Sequence, residues 1–346
     1  MIDNAIRQLA DGHDLSAEEA HAAMMQVMSG DASPAQIAAL AIGLRMKGET
    51  PDEVAGCARA MRAHVIPASP SRDGLVDTCG TGGDGSDTFN ISTSAALVAA
   101  AAGVPIAKHG NRAVSSMCGS ADVLEALGVR IDLAPPDIAD CIDQVGFGFL
   151  FAQAHHPAMR HAGPVRRELG VRTVFNLLGP LTNPAGARRQ VMGVYAENLV
   201  EPMAQVLSRL GVDHALVVHG AGGLDELTPT GENLMAEVRD GQVTMTTLDP
   251  RPLSTGPAPG TPDDLRVGGD PAHNAAVIRT VFDGERGPRR DAVILNAAAA
   301  MLVGGLVAEF EQGIDTAVDA IDSGAARDKL AELAEFTQSR APGVPV

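Results

Sequence analysis

Basic residues are scarce in this chain. Its 346 residues hold 26 Lys and Arg against 43 Asp and Glu, a formal net charge of −17. A surface of that sign repels nucleic-acid backbones and anionic lipid, which argues against a general nucleic-acid or membrane-surface binder. It leaves room for one small anion held by a local group of cations. Cysteine is also sparse: Cys57, Cys79, Cys118 and Cys141 form no C-x-x-C pair and no metal-ligand spacing. They read as buried thiols in a reducing compartment. No apolar run resembles a membrane span, and the first residues lack the basic-then-apolar order of a signal peptide. The expected location is the cytoplasm. What remains is 45% apolar and 20% charged, the balance of a soluble globular protein with one large domain or a large and a small one.

The first sixty-odd residues read as helices. Ser16-x-x-Glu19, Ser33-x-x-Gln36 and Thr50-x-x-Glu53 fit the capping box, and Pro34 and Pro51 take the first helical position. Apolar residues at Ile37, Leu40, Ala41 and Leu44 recur at helical spacing, and Gly30, Gly48 and Pro67 punctuate the segment. Four short helices with little core of their own are expected to pair with another subunit. From Gly74 onward, strand-like runs alternate with helical ones, which predicts an α/β fold with a mostly parallel sheet flanked by helices.

The most informative stretch is Asp77 to Thr93. A short apolar run precedes it, and an Ala-rich helical run follows. Gly80, Gly82, Gly83 and Gly85 permit positive φ and close backbone approach, while Thr88, Asn90, Ser92 and Thr93 bring hydroxyl and amide groups to a helix N-terminus. Backbone N–H groups and the helix dipole converge there on an anion, so the loop reads as a phosphate site. It lacks the Lys-Ser or Lys-Thr of a Walker loop. Gly80, Gly82 and Gly85 match G-x-G-x-x-G, but no acidic residue lies between Thr88 and Ala121, so the dinucleotide partner is missing.

A second polar loop, Lys108 to Ser116, follows the apolar run Val104 to Ala107. Two polar loops at the carboxyl ends of neighbouring strands make a site. His155-His156 closes a third strand-like run, Phe147 to Phe151. Adjacent histidines on a strand face opposite ways, so His155 reads as structural or substrate-lining rather than as a zinc ligand. His109 is equally well a loop hydrogen-bonding residue or a catalytic one, and no Ser-His-Asp or Cys-His set emerges from spacing. Arg166, at a helix start with Arg167, can meet a carboxylate or remain a surface arginine. Asp225-Glu226, after a glycine loop, suits a hard cation such as magnesium; the plain alternative is an exposed acidic turn.

These segments together resemble the anthranilate phosphoribosyltransferases. The resemblance runs through Gly80-Thr81-Gly82-Gly83-Asp84, Asn90-Ile91-Ser92-Thr93, Lys108-His109-Gly110-Asn111-Arg112, His155-His156-Pro157-Ala158-Met159 and Gly163-Pro164-Val165-Arg166. It continues through Asn176 to Pro184, Gly223 to Leu227, and Asn296-Ala297-Ala298, covering almost the whole chain. It implies a small helical domain over 1–69, joined by helices from about 163–182, and a large α/β domain over 70–346. It also implies a homodimer joined through the small domains. Phosphoribosyl pyrophosphate would meet Gly80, Gly83, Asp84, Thr88, Asn90, Ile91, Ser92, Thr93, Lys108, His109, Gly110, Asn111, Arg112, Ala113, Val114, Ser115, Ser116 and Ser120. Anthranilate would meet Gly80, Asn111, Arg166 and His155. Two magnesium ions per subunit are implied, one at Ser92 and one at Asp225 and Glu226. Lys108 and magnesium would stabilise the leaving pyrophosphate, and no residue is assigned as acid or base. A pyrimidine nucleoside phosphorylase, which uses phosphate and would not need the Asp225-Glu226 pair, is one alternative. A non-catalytic nucleic-acid-binding relative is the other, and the net charge opposes it.

Overall fold

The structure, a computed structural model, describes residues 1–113, 117–251 and 260–341. It opens with four helices, α1 (Ile2–Ala10), α2 (Ala17–Met28), α3 (Pro34–Lys47) and α4 (Pro51–Arg62). All three anticipated capping boxes form, with the Ser16, Ser33 and Thr50 side chains accepting the N–H of Glu19, Gln36 and Glu53. Each such cap contributes about 1 kcal/mol. Glu53 does more than cap. Fully buried, it accepts the Leu15 N–H at 2.9 Å and the Lys47 ammonium at 3.0 Å, which ties the α1–α2 and α3–α4 connections together. At Gly56 a Cβ would collide with the Ala17 carbonyl, so glycine lets α2 and α4 pack backbone to backbone.

The chain then alternates: β1 (Val76–Thr78), α5 (Ile91–Ala101), β2 (Ile106–Gly110), α6 (Ser120–Ala126), α7 (Pro135–Val145) and β3 (Phe147–Phe151). One turn of helix α8 (Ala152–His155), α9 (Met159–Leu169) and α10 (Phe175–Leu178) follow. Next come β4 (Arg189–Gly193), α11 (Val200–Arg209), β5 (His214–His219), β6 (Asn233–Arg239) and β7 (Gln242–Leu248). The described part closes with α12 (Pro262–Leu265), α13 (Pro271–Phe282), α14 (Pro288–Gly304), α15 (Phe310–Asp322) and α16 (Ala325–Ser339).

The sheet order is β3-β2-β1-β4-β5-β6-β7. The first five strands run parallel, as expected, and β6 and β7 add an antiparallel hairpin at the edge. The hairpin turns on Asp240-Gly241, both at positive φ (52° and 78°), a pair that favours the type I′ turn. His155-His156 also differs from expectation. The strand ends at Phe151, and His155 belongs to α8, so helical geometry rather than strand alternation sets the directions of the two rings.

Helices cover both sheet faces. On one, α5 and α14 pack with α6, α13, α15 and α16; small residues such as Ala95–Ala100 and Ala297–Ala300 let helix and sheet approach closely. On the other face, α11 lies on β5, β6 and β7. That second cluster does not stop at the sheet. It runs through Met203 and Val206 into Leu40, Leu44, Met61, Val165, Phe175 and Leu178, so the N-terminal helices share a continuous apolar core with α9–α11. An Arg209–Asp52 ion pair at 2.6 Å ties α11 to α4.

Candidate active site

The connection after β1 (α5) and the connection after β4 (α11) lie on opposite faces, so the carboxyl ends of β1 and β4 form the sheet's switch point. Ligands bind in the crevice outside such a point. The glycine loop leaves β1 there, and three features lock it in place. The Thr81 N–H donates to Gly193 O at 2.8 Å, Thr81 Oγ1 accepts the Tyr195 N–H at 3.1 Å, and the Gly82 N–H donates to Asp225 Oδ2 at 2.7 Å. Gly82, Gly83 and Gly85 all sit at positive φ, as the composition of the loop foretold. Gly80 and Gly193 serve close approach instead: a Cβ on Gly80 would lie 2.8 Å from Asp225 Oδ2, and one on Gly193 would overlap the Asp225 carbonyl.

Three carboxylates gather beside this loop. Asp84 accepts the Ser86 hydroxyl at 2.7 Å and the Asp225 N–H at 3.3 Å, and Glu226 accepts the Ser92 N–H at 3.1 Å. Removal from water and the neighbouring charges of Asp84 and Glu226 push Asp225 well above the usual carboxylate range. Glu226 rises to about 7, mainly through loss of water, although Lys108 and Ser92 oppose the shift. Such a cluster is a donor set for a hard cation: oxygen atoms and excess negative charge, to which substrate phosphates commonly add the remaining ligands. These residues fit magnesium.

Lys108 is 2% exposed, and its ammonium donates to Thr78 O at 2.6 Å, Thr78 Oγ1 at 3.1 Å and Ser92 Oγ at 3.5 Å. Burial pulls its pKa down while the nearby acids oppose that. It thus links β2 to the N-terminal turn of α5. Thr88 pairs with Arg266 in an isolated bridge, Ile91 and Thr93 are buried in α5, and the Asn90 side chain donates to Cys118 O at 3.2 Å. The Oδ1 of Asn90 and Oγ1 of Thr93, both buried, have no partner among the described residues.

The second loop divides. Asn111 Oδ1 accepts from the Arg112 N–H at 2.8 Å and from Gln153 at 3.3 Å, while Asn111 O accepts from Ser120 Oγ at 3.3 Å. Arg112 is committed elsewhere, donating to Asp122 at 2.9 Å and Glu125 at 2.5 Å over the Phe151 ring. The Ala113 N–H donates to Asp122 at 2.9 Å. Gly110 needs its missing side chain, since a Cβ would overlap Ser120 Oγ. Val114, Ser115 and Ser116 lie outside the described residues.

The histidines part company. His155 is 1% exposed, with Nδ1 2.6 Å from Ile66 O, at the end of the segment that follows α4. It is His156 that meets His109, Nε2 to Nε2 at 3.1 Å, while His109 Nδ1 lies 3.1 Å from Gly179 O. Burial and the neighbouring His156 lower His109 to about 3, and burial with the neighbouring His155 lowers His156 to about 4. Arg166, on α9, is half-buried with its guanidinium 5.6 Å from the Phe175 ring centroid. Burial lowers its pKa.

Sequence reasoning missed several participants. Asp77, 1% exposed, accepts the His109 N–H at 3.0 Å and Asn183 Nδ2 at 2.8 Å; Asn296 clamps Leu227 through both its side-chain atoms. Arg172 donates to Gly83 O and stacks 4.2 Å from the Tyr195 centroid. A carboxylate in a strand and an arginine 89 positions from its partner carry no local signal. Asp77, Cys79 and His109 bring ligand atoms within 4.8 Å of one another, but both Asp77 oxygens are already engaged and burial pushes the Cys79 thiol up, so the group reads as packing.

The arrangement, an anion loop at a switch point with a lysine and a carboxylate trio below a helical bundle, defines a phosphate-handling transferase site. Known families agree. The family described as "Glycosyl transferase family, a/b domain" matches residues 72–327, and "Glycosyl transferase family, helical bundle domain" matches 3–65. The chain belongs to that family, and within it to the anthranilate phosphoribosyltransferases. The Pelotomaculum thermopropionicum anthranilate phosphoribosyltransferase is 54% identical over 337 residues, 97% of each chain, and that of Symbiobacterium thermophilum is 53% identical over 96% of each. The solved anthranilate phosphoribosyltransferase of Thermus thermophilus superposes with a TM-score of 0.90 at 47% identity, covering 96% of this chain and 99% of that one. The Saccharomyces cerevisiae enzyme in complex with PRPP and Mg superposes at 0.86 with 26% identity, over 98% of both.

Proposed function

We propose that the chain transfers the phosphoribosyl group of 5-phosphoribosyl 1-pyrophosphate to the amine of anthranilate, giving N-(5-phosphoribosyl)anthranilate and pyrophosphate, the second step of tryptophan biosynthesis. The observation that carries the reading is the glycine loop tied by Gly82 to Asp225 beside the Asp84–Asp225–Glu226 cluster, in a chain 54% identical to an enzyme of that name. A nucleoside phosphorylase would have no need of that acidic corner.

Negative charge grows on the departing pyrophosphate and positive charge on the ribose as the amine attacks. In this reading the glycine loop and the N-terminal turn of α5 flank the leaving group, with the Thr81, Gly82 and Ser92 amides spent on Gly193, Asp225 and Glu226 to hold that shape. Lys108 adds a fixed positive charge at the base of the site. Magnesium, when bound, offsets the charge of both pyrophosphate and carboxylates. Ser92 would hold one ion and Asp225 with Glu226 a second. Asn111 and Arg166 receive anthranilate, the arginine pairing with its carboxylate. An aryl amine is already neutral near pH 7, so holding the two reactants together is the main demand, worth roughly 7–11 kcal/mol. The remaining assignments follow the same reading: phosphoribosyl pyrophosphate along Gly80 to Ser120, a small unit of 1–69 with 163–182 over a large one of 70–346, a homodimer, and cytoplasmic location.

The test is the loss of anthranilate fluorescence on adding phosphoribosyl pyrophosphate, with and without magnesium, in wild type and in Asp225→Asn/Glu226→Gln. Magnesium-dependent loss that the variant abolishes supports reaction and metal site together. No loss from folded wild type would sink the assignment to anthranilate.

A further inference from the structure

The residues of the phosphate loop are restrained from different directions. Thr81 is held by Gly193 and Tyr195 and Gly82 by Asp225, all from the sheet side. Gly83, at φ 75°, is held from the segment between α9 and α10, its carbonyl accepting from the Arg172 guanidinium. Arg172 lies between α9 and α10, six positions after Arg166, and its guanidinium rests on the Tyr195 ring. The other cations near the loop are occupied: Lys108 by Thr78 and Ser92, Arg112 by Asp122 and Glu125. Arg172 has no carboxylate partner among the described residues.

We propose that Arg172 is a positioning residue for phosphoribosyl pyrophosphate. With Tyr195 as its platform it fixes the Gly83 carbonyl, aims the following amide and Asp84 at the ligand, and links the loop to the helix that carries Arg166. The inference rests on the assignment of that loop to phosphoribosyl pyrophosphate. Its physical basis is pre-organisation. A run of glycines loses more conformational freedom on ordering than any other sequence, so a restraint present before binding lowers what the ligand must supply. Arginine suits the task because its planar fork stacks and donates at once, whereas a lysine ammonium can donate but offers no flat face to stack on the ring.

Tyr195 offers a direct readout. It is the only tyrosine in a chain without tryptophan, so ultraviolet emission at long wavelength comes from the one ring under Arg172. Wild type, Arg172→Gln, Arg172→Lys and Tyr195→Phe would be titrated with phosphoribosyl pyrophosphate and magnesium in the absence of anthranilate, following emission and, for Tyr195→Phe, calorimetry. Steady-state kinetics and melting temperature would be measured alongside. Arg172→Gln is expected to raise KM for phosphoribosyl pyrophosphate roughly tenfold, with kcat, KM for anthranilate and Tm little changed. Arg172→Lys should recover only part of the loss, and Tyr195→Phe, which keeps the platform, most of wild-type behaviour. A KM within about twofold of wild type in Arg172→Gln overturns the proposal, as does a joint defect in which kcat and Tm fall and both KM values rise, which would mark a merely structural arginine. If wild type neither responds to phosphoribosyl pyrophosphate nor consumes anthranilate, the loop assignment fails instead.

Discussion

The Asp77 carboxylate accepts the backbone N–H of His109 at 3.0 Å, a side chain of β1 taking the place of a ladder bond to β2. The two strands share one register pair, Val76 with Ile106, and beyond it side chains do the joining: Asp77 to His109, Lys108 to Thr78. Asn183 donates to the other Asp77 oxygen at 2.8 Å and to Ala107 O at 2.8 Å, filling the gap between strands. Asp77→Ala would strand two buried donors, each costing about 1–3 kcal/mol, and loosen the end of β2 that carries Lys108. The urea midpoint should fall, and kcat/KM should fall further than stability alone explains. Asp77→Asn should be milder, since one oxygen can still accept the His109 N–H.

The paired histidines set an acid limit. His109 and His156 titrate near 3 and 4 in the folded protein against an ordinary 6.5, so both rings fold neutral. Below pH 6.5 the unfolded chain takes up their protons and the folded chain does not. The associated stability is complete above that pH and declines as pH falls toward 4. At pH 5 the loss amounts to about 2 kcal/mol per ring. Urea midpoints measured from pH 7.5 to 5 should show it, and His109→Gln/His156→Gln should flatten the slope; an equally steep decline in the double variant would refute this origin.

Two glycines of the site should respond differently to alanine. At Gly193 a Cβ would overlap the Asp225 carbonyl, so Gly193→Ala must displace the acidic corner, at about 1–3 kcal/mol in stability and with loss of magnesium-dependent activity. At Gly82 an added Cβ would meet no other atom within 4 Å, and the only obstacle is φ of 63°. Gly82→Ala should cost about 1–2 kcal/mol of backbone strain and leave magnesium binding in place. Calorimetric magnesium titration of the two variants distinguishes steric from conformational demand.

Magnesium should stabilise the protein as well as support its reaction. A ligand that binds only the folded state at 100 times its dissociation constant adds about 2.7 kcal/mol. Tm should therefore rise with magnesium and fall back with a chelator. Asp225→Asn/Glu226→Gln should abolish most of that rise. A variant that keeps the full rise would place the ion elsewhere.

Much of this was readable in one dimension because it rests on local chemistry. Capping boxes place side chain and backbone three residues apart, and all three formed where Ser16, Ser33 and Thr50 indicated. Glycines at a strand end before an Ala-rich helix marked the phosphate loop, since only glycine reaches positive φ freely. The adjacent acids Asp225 and Glu226 stood out for the same reason. The split between His155 and His156, the pairing of Arg112 with Asp122 and Glu125, and the roles of Asp77 and Arg172 did not. Each depends on a partner that chain folding brings near.

The sequence by itself determined the capped N-terminal helices, the glycine loop between strand and helix and the adjacent acids proposed to hold a cation, because propensity, capping and charge act between neighbours. Tertiary structure alone decided which cations remain free to serve a ligand and which are spent on the protein. It also decided that the N-terminal helices share their core with α9–α11. Those outcomes turn on packing across the β1–β4 crevice and on desolvation, and both are set by residues that are not neighbours along the chain.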